Sequence, residues 1–172
     1  MQSQALERLI IVWRAFVRRW VKDLVTTFKP CGVLGINGKG MSVSNERFQK
    51  ALKAEPQAIP PVWYMRQAGR YHSHYQALRK QHSFVELCKN PDLAAEVARG
   101  PVAEFDFDLA ILFSDLLFPL EVFGMGLEYN PGPQLAFQLD EKSISSFKSV
   151  EQALPGLQFQ REAMKKTRQV LP

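Results

Sequence analysis

The sequence predicts an α/β fold built on a parallel sheet. Three observations carry that expectation. Short apolar runs alternate with stretches of helical periodicity. Leu109 to Phe113 is a continuous apolar run, the pattern of a strand buried on both faces. A polar pair, Ser114-Asp115, follows that run directly, where parallel sheets gather their functional groups.

Taken in order, residues 4 to 28 read as one amphipathic helix. Leu6, Ile10, Trp13, Val17, Trp20, Val21 and Val25 recur at helical spacing. Arg8, Arg14, Arg18 and Arg19 interrupt the stretch, so it is a poor membrane span. No small-residue cleavage pattern marks a secretory signal. Three readings stay open: contact with an anionic membrane surface, an organelle-targeting segment, or upstream sequence with no part in the fold. The connector from Lys29 to Gly40 favours the last, since Pro30, Gly32, Gly35, Gly38 and Gly40 make it flexible. Residues 1–40 are therefore expected to lie outside the folded domain, which would occupy 41–172.

Met41 opens that domain. Ser44 is the expected helix N-cap, with Glu46 in the first turn and Phe48, Ala51 and Leu52 on one face. Pro56 should end the helix near Glu55. Pro61 to Met65 is strand-like, and Arg66 to Tyr71 forms a loop. Ser83 to Lys89 is helical, Asn90-Pro91 punctuates, and Asp92 to Phe105 is helical again with a kink expected at Pro101. Asn130 to Pro133 breaks Leu127–Phe137 into two short extended pieces. Val150 to Val170 gives one or two helices, broken at Pro155-Gly156.

Composition narrows the function classes. The 172 residues are 46% hydrophobic and 23% charged, an ordinary globular balance that excludes a disordered or fibrous chain. The net charge of +5 resides in residues 1–40, which hold seven Lys/Arg and two acids; the remainder holds 15 of each sign. The main domain thus has no electrostatic footprint for nucleic acid. Cys31 and Cys88 are separated by 56 residues with no CxxC spacing, so they read as two free thiols in a reducing cytoplasm.

Chemistry concentrates in two places. In Arg66-Gln67-Ala68-Gly69-Arg70, two permanently charged guanidinium groups flank small residues that let the backbone approach a ligand. Gln67 adds a neutral donor and acceptor, and Arg79 is placed to join the same basic wall. That pattern suits anion binding; the competing reading is a surface loop paired with local acids. Asp115 is the second place. Its neighbours Phe113, Leu116, Leu117 and Phe118 are apolar, which should desolvate the carboxylate. The competing reading is a helix cap or a structural ion pair. His72, His74 and His82 lack metal-binding spacing and read as polar loop residues.

These motifs resemble one family. The segment Pro61-Val62-Trp63-Tyr64-Met65-Arg66-Gln67-Ala68-Gly69-Arg70 is similar to the N-terminal signature of the uroporphyrinogen decarboxylases at all eight fixed positions. Phe113-Ser114-Asp115-Leu116-Leu117 resembles a second landmark, and Asn45 to Leu52 and Leu120 to Gly126 fit as well. The resemblance covers about residues 41–172. It implies a (β/α)8 barrel, commonly a homodimer, that converts four acetate side chains of uroporphyrinogen III to methyls in cytoplasmic haem and porphyrin biosynthesis. It implies a lyase with no cofactor and no metal. Arg66 and Arg70 would bind substrate carboxylates, with Gln67, Ala68 and Gly69 lining the same contact and Arg79 beside it. Asp115 would accept hydrogen bonds from the pyrrole N–H groups and favour positive charge on the ring; Arg66 is a weaker candidate as proton donor.

Two departures temper this. The family usually continues Leu-Pro-Glu-Tyr after Tyr71, where this chain has His72-Ser73-His74-Tyr75. A full barrel needs about 250 residues, so the expectation is the N-terminal half of the barrel, inactive and aggregation-prone by itself. Alternatives are a non-catalytic anion-binding or membrane-surface fragment, and a zinc-dependent methyltransferase on a related barrel; Arg66 and Arg70 argue against the methyltransferase.

Overall fold

The structure is a computed structural model that describes residues 45–64 and 71–171. These fall into two compact units, one of residues 115–158 and one of the remaining described residues.

The larger unit opens with α1 (Glu46–Leu52). Its N-cap is Asn45, one residue beyond the expected Ser44, which itself lies outside the described residues. Asparagine does what serine's single hydroxyl does less well here. Its Oδ1 accepts the Phe48 N–H at 3.3 Å while its Nδ2 donates to Asp108 at 2.7 Å. The helix stops at Leu52, ahead of Pro56. The apolar face expected on α1 is not buried: Ala51 is exposed and Leu52 is 66% exposed.

α2 (Ser73–Gln81) was not anticipated from sequence. Its composition is polar and only Tyr75 is buried, so its periodicity is faint. The histidines consequently sit at helix positions rather than in a loop: His72 at the N-cap, His74 in the first turn, His82 at the C-cap. α3 (Phe84–Lys89) and α4 (Pro91–Phe105) match expectation closely. Ser83 Oγ caps α3, and Asn90 Oδ1 accepts the Asp92 and Leu93 N–H groups while Pro91 supplies a preset first-turn φ. The helical assignment of α4 continues through Pro101 to Asp106, whose left-handed backbone (φ 53°) closes it.

The core of this unit joins Tyr75, Leu87 and Val97, with Leu78, Leu93 and Phe113 packed against them. Burying each such side chain contributes roughly 1.5–3 kcal/mol. Phe113 meets the Tyr75 ring at 5.4 Å and the Phe84 ring at 5.9 Å. The segment Leu109–Phe113 differs from the doubly buried strand expected of it. No residue in it is fully buried, Ile111 is 51% exposed, and it joins no strand ladder. Only Asp108, just before it, is tied by backbone to Val62, through an N–H to carbonyl bond of 3.1 Å. A strand needs neighbours to satisfy its backbone groups, and the described residues provide none here.

α4 comes close to α2 at Gly100. A Cβ there would lie 2.4 Å from His74 Nδ1 and 3.1 Å from His72 Cε1. The missing side chain leaves room for two histidines, each within hydrogen-bonding distance of a glutamate: His72 Nε2 lies 2.7 Å from Glu104 and His74 Nε2 lies 2.8 Å from Glu96.

In the smaller unit, α5 (Phe118–Leu120) runs into a wide helical turn, Glu121–Met125, interrupted at Gly124 with φ 105°, a value that favours glycine. β1 (Leu127–Tyr129) and β2 (Pro133–Leu135) follow as the expected pair of extended pieces. They form an antiparallel hairpin with Leu127 opposite Leu135 and Tyr129 opposite Pro133. α6 (Glu141–Ser145) and α7 (Val150–Ala153) each begin with a reciprocal capping box, Asp140 with Ser143 and Ser149 with Gln152. Phe118, Phe123, Met125, Ala153 and Leu157 are buried, and the Phe147 ring stacks on Phe123 at 6.0 Å. A tight turn, Leu154–Leu157, at the expected Pro155-Gly156 break leads to α8 (Gln158–Val170). In the larger unit α8 buries Gln160, Ala163 and Thr167.

The parallel sheet of the sequence expectation is therefore not among the described residues, whose one ladder is the antiparallel hairpin. No helix of the described residues is long and apolar enough to cross a membrane. The helix expected at 4–28 lies outside the described residues.

Gly100→Ala should test the α2–α4 contact. Alanine is intrinsically better in a helix by about 1 kcal/mol. Overpacking against the two histidines should outweigh this and leave a net loss of about 1–2 kcal/mol in urea unfolding. Adding His74→Ala should recover most of it; a stabilised single variant would contradict the packing.

Candidate functional site

The end of the Leu109–Phe113 segment is positioned from both directions. At its start, Asp108 is a convergence point for three donors. Its Oδ2 accepts the Val62 N–H at 2.8 Å, and its Oδ1 accepts Asn45 Nδ2 at 2.7 Å and Arg47 Nη1 at 3.2 Å. The Asp108 side chain is 3% exposed. The Val62 amide, foremost, then Asn45 and Arg47, hold its carboxyl below the usual carboxylate range against the opposing effect of burial. Asp108 was missed in sequence. The available signal was an acid set at the start of an apolar run, next to a second acid, Asp106, that is exposed.

At the other end Phe113 is seated between Tyr75 and Phe84, and the Ser114 hydroxyl accepts a hydrogen bond of 2.7 Å from Gln160 Nε2. Asp115 comes next. Its Oδ1 accepts the Leu117 N–H at 2.7 Å, an Asx turn that leads into α5. Among the described residues the expected apolar enclosure is incomplete: Asp115 is half-buried and Leu116 is 92% exposed. The reason is the turn itself, which directs Phe118 into the core of its unit and leaves Leu116 outside. Asp115 is not the helix cap weighed for it, since the N-cap of α5 is Leu117, which lacks a side-chain cap; Asp115 shapes the turn before it, with its second oxygen uncommitted by any hydrogen bond among the described residues.

Arg79 lies in the last turn of α2 and is exposed; its Nη1 donates to the His82 carbonyl at 2.6 Å, which caps that helix end. Arg66, Gln67, Ala68, Gly69 and Arg70 lie outside the described residues, as does Met65. The described residues accordingly include Asp115 and Arg79 but not the arginine loop. Trp63, of the same motif, does contribute. With Val97, Pro101 and residues 109–114 it lines an open groove of about 200 Å³. None of its lining side chains is titratable, so the groove offers shape rather than acid–base chemistry.

Alongside α4, Glu96 is held below the usual carboxylate range by Arg99 first and by His74. The His72 side chain is completely buried, and neither its Nδ1 nor that of His74 has a hydrogen-bond partner among the described residues. No group of three or more His, Cys, Asp or Glu side chains among the described residues is arranged to hold a metal ion. Cys88 is a buried thiol; Cys31 lies outside the described residues.

Comparison with known proteins gives this geometry its context. Residues 43–172 match the family model described as uroporphyrinogen decarboxylase (URO-D). The uroporphyrinogen decarboxylase of Myxococcus xanthus is 41% identical over 128 residues, 74% of this chain and 37% of the relative. That of Trichlorobacter lovleyi is 53% identical over 89 residues, 52% of this chain and 26% of the relative. That of Koribacter versatilis is 49% identical over 92 residues, 54% of this chain and 26% of the relative. The chain spans roughly a quarter to just over a third of the length of these relatives.

The Asp108 convergence yields a pH prediction. Its carboxyl has a lower pKa folded than unfolded, where about 3.9 applies. The stabilisation is therefore complete above that value and is lost as pH falls through the lower, folded one. Asp108→Asn should cost about 1–3 kcal/mol at neutral pH, since it replaces one acceptor oxygen with an NH2 donor facing groups that themselves donate. It should also flatten the loss of stability below about pH 4. Urea unfolding of both proteins from pH 7 to 3 measures this; parallel acid limbs would refute the assignment.

Proposed function

Because the chain belongs to the uroporphyrinogen decarboxylase family, we propose that it supplies the carboxylate-binding loop and the central aspartate of a uroporphyrinogen decarboxylase. The observation that carries this is the intact motif from Pro61 to Arg70 inside a family match that runs from residue 43 to 172. In this reading the Leu109–Phe113 segment is a strand of a (β/α)8 barrel, and Asp115 stands at its carboxyl end, where such barrels place their chemistry. The full family protein would be a cytoplasmic homodimer working without cofactor or metal.

The substrate is a cyclic tetrapyrrole with eight carboxylates. Arg66 and Arg70 would grip these bidentately and orient the ring, with the backbone of Gln67, Ala68 and Gly69 alongside. Arg79 would add positive potential at longer range. Protonation of a pyrrole carbon places positive charge on the heterocycle. The bond between the acetate methylene and its carboxylate then breaks, carbon dioxide leaves, and the electron pair flows into the charged ring. A second proton converts the exocyclic methylene to a methyl group, and the proton on the ring carbon is then lost, so that one proton is consumed overall. A fixed carboxylate at the ring centre stabilises the cation as it develops. Asp115 suits this role because the Leu117 N–H orients one oxygen and leaves the other to accept from pyrrole N–H groups. Arg66 would also face the acetate that reacts; its pKa is high for a proton donor, so its main work is electrostatic.

Fluorescence titration with uroporphyrin tests the arginines. Arg66→Ala and Arg70→Ala should each weaken binding by about tenfold or more, the loss expected for a charged hydrogen-bonded pair. Unaltered binding in both would exclude the loop as the carboxylate site. In a full-length enzyme of the family that contains this segment, Asp115→Asn should lower formation of coproporphyrinogen under anaerobic conditions far more than affinity for uroporphyrinogen. Equal losses would remove the transition-state role.

A further inference from the structure

We infer that the corner Glu104–Asp108 positions the arginine motif by holding the chain on both of its sides, at Val62 and Tyr64 before it and at His72 after it. This rests on the reading of Arg66 and Arg70 as the carboxylate-binding residues.

All of the contacts lie within the larger unit. On the near side, Asp108 engages both backbone groups of Val62. Its Oδ2 accepts the Val62 N–H at 2.8 Å, and its own N–H donates to the Val62 carbonyl at 3.1 Å. The Phe107 ring meets the Tyr64 ring edge-on at 5.6 Å. On the far side, His72 Nε2 lies 2.7 Å from Glu104 Oε2; a carboxylate accepts, so the imidazole donates. The Phe105 ring lies 5.5 Å from the His72 ring and 5.4 Å from that of Phe107. Asp106 makes the corner. Its left-handed backbone (φ 53°) turns the chain out of α4, a conformation that a short polar side chain tolerates better than most.

Glu104 stands in the last turn of α4, where the helix's own carbonyls disfavour a negative charge. Its partner His72 is wholly buried, and a buried imidazole N–H needs an acceptor. Glu104 therefore serves His72 rather than its own helix. Five consecutive residues thus hold both sides of the motif. The Cα atoms of Glu104 and Asp108 are at most about 14 Å apart, the reach of four extended residues. Residues 65–71 join Tyr64 to His72. The corner fixes where that segment starts and where it ends, and so restricts the freedom of what lies between. This matters for a ligand with several carboxylates. Two guanidinium groups grip it together only when their separation is set beforehand, since freedom lowers the effective concentration of the second for the ligand held by the first.

Glu104→Ala removes the acceptor at a half-exposed position and suits the helix. Trypsin cuts after arginine, so cleavage after Arg66 and Arg70, identified by fragment mass, reads the motif directly. Release of His72 should speed those two cuts by about fivefold relative to the cut after Arg168, the population change expected from losing one net hydrogen bond. Glu104→Ala should also weaken uroporphyrin binding by about fivefold, although loss of a negative charge by itself favours an anionic ligand. In an Arg70→Ala background the further loss should be much smaller, because a single guanidinium has no partner to be aligned with. Glu104→Gln retains an acceptor oxygen and should lie close to the parent chain.

If Glu104→Ala lowers the unfolding midpoint while the Arg66 and Arg70 cuts keep their rate relative to Arg168, the corner is structural only and the inference is overturned. Faster cleavage with unchanged affinity overturns it as well, since the motif's position would then not matter to the ligand. Should Glu104→Ala fail to fold, Phe107→Leu, which loosens the Tyr64 side, gives the same decision. Failure of the parent chain to bind uroporphyrin would instead count against the proposed function, and the cleavage comparison would then decide whether the corner holds the motif.

Discussion

The carboxylate of Asp108 gathers the Val62 amide, the Asn45 side chain and the Arg47 guanidinium within hydrogen-bonding distance of a nearly buried position. Three segments distant in sequence meet there: the cap of α1, the residues leading to Trp63, and the apolar run ending at Asp115. The Val62 and Asp108 backbones are joined as well, so the two segments that carry the family motifs share one register point. Charged hydrogen bonds of this kind are among the stronger ones a protein makes, and leaving any of the donors unmet would be costly. Arg47 is half-exposed, so its share is the smaller one.

Around that point the packing is done by helices. α3 and α4 meet through the Asn90 cap, and their apolar faces enclose Leu87 and Val97 with Tyr75 from α2. The histidines fit against α4 only because residue 100 has no side chain. His72 and His74 each meet a glutamate of α4.

The chemistry follows from which atoms are committed and which are left over. Asp115 spends one oxygen on its own turn, Ser114 spends an acceptor on Gln160, and Arg79 spends a donor on the end of α2. What remains available at Asp115 is a single acceptor oxygen on a shaped turn, well suited to a ring of N–H donors. That reading draws its weight from membership of the uroporphyrinogen decarboxylase family and from the intact arginine motif.

Much was legible in the sequence because the signals were local. The Asn90-Pro91 boundary, the short helix ending at Lys89, the turn at Asn130–Pro133 between two extended pieces and the break at Pro155-Gly156 each depend on the conformational preferences of a few adjacent residues. The motif Pro61 to Arg70 was equally plain, since side-chain identity needs no fold to be read. Tertiary structure alone decided the rest. α2 carries too few apolar residues to announce itself, and Leu109–Phe113 reads as a buried strand whatever neighbours it has. The exposure of Leu116 and the half-burial of Asp115 follow from the direction of a turn. Asp108, Gln160 and Gly100 matter through partners 46 to 63 positions away in the first two cases and through histidines on another helix in the third. Hydrogen bonding and close packing act across space, so a residue's own type discloses what it is able to do, and only the fold determines what it meets.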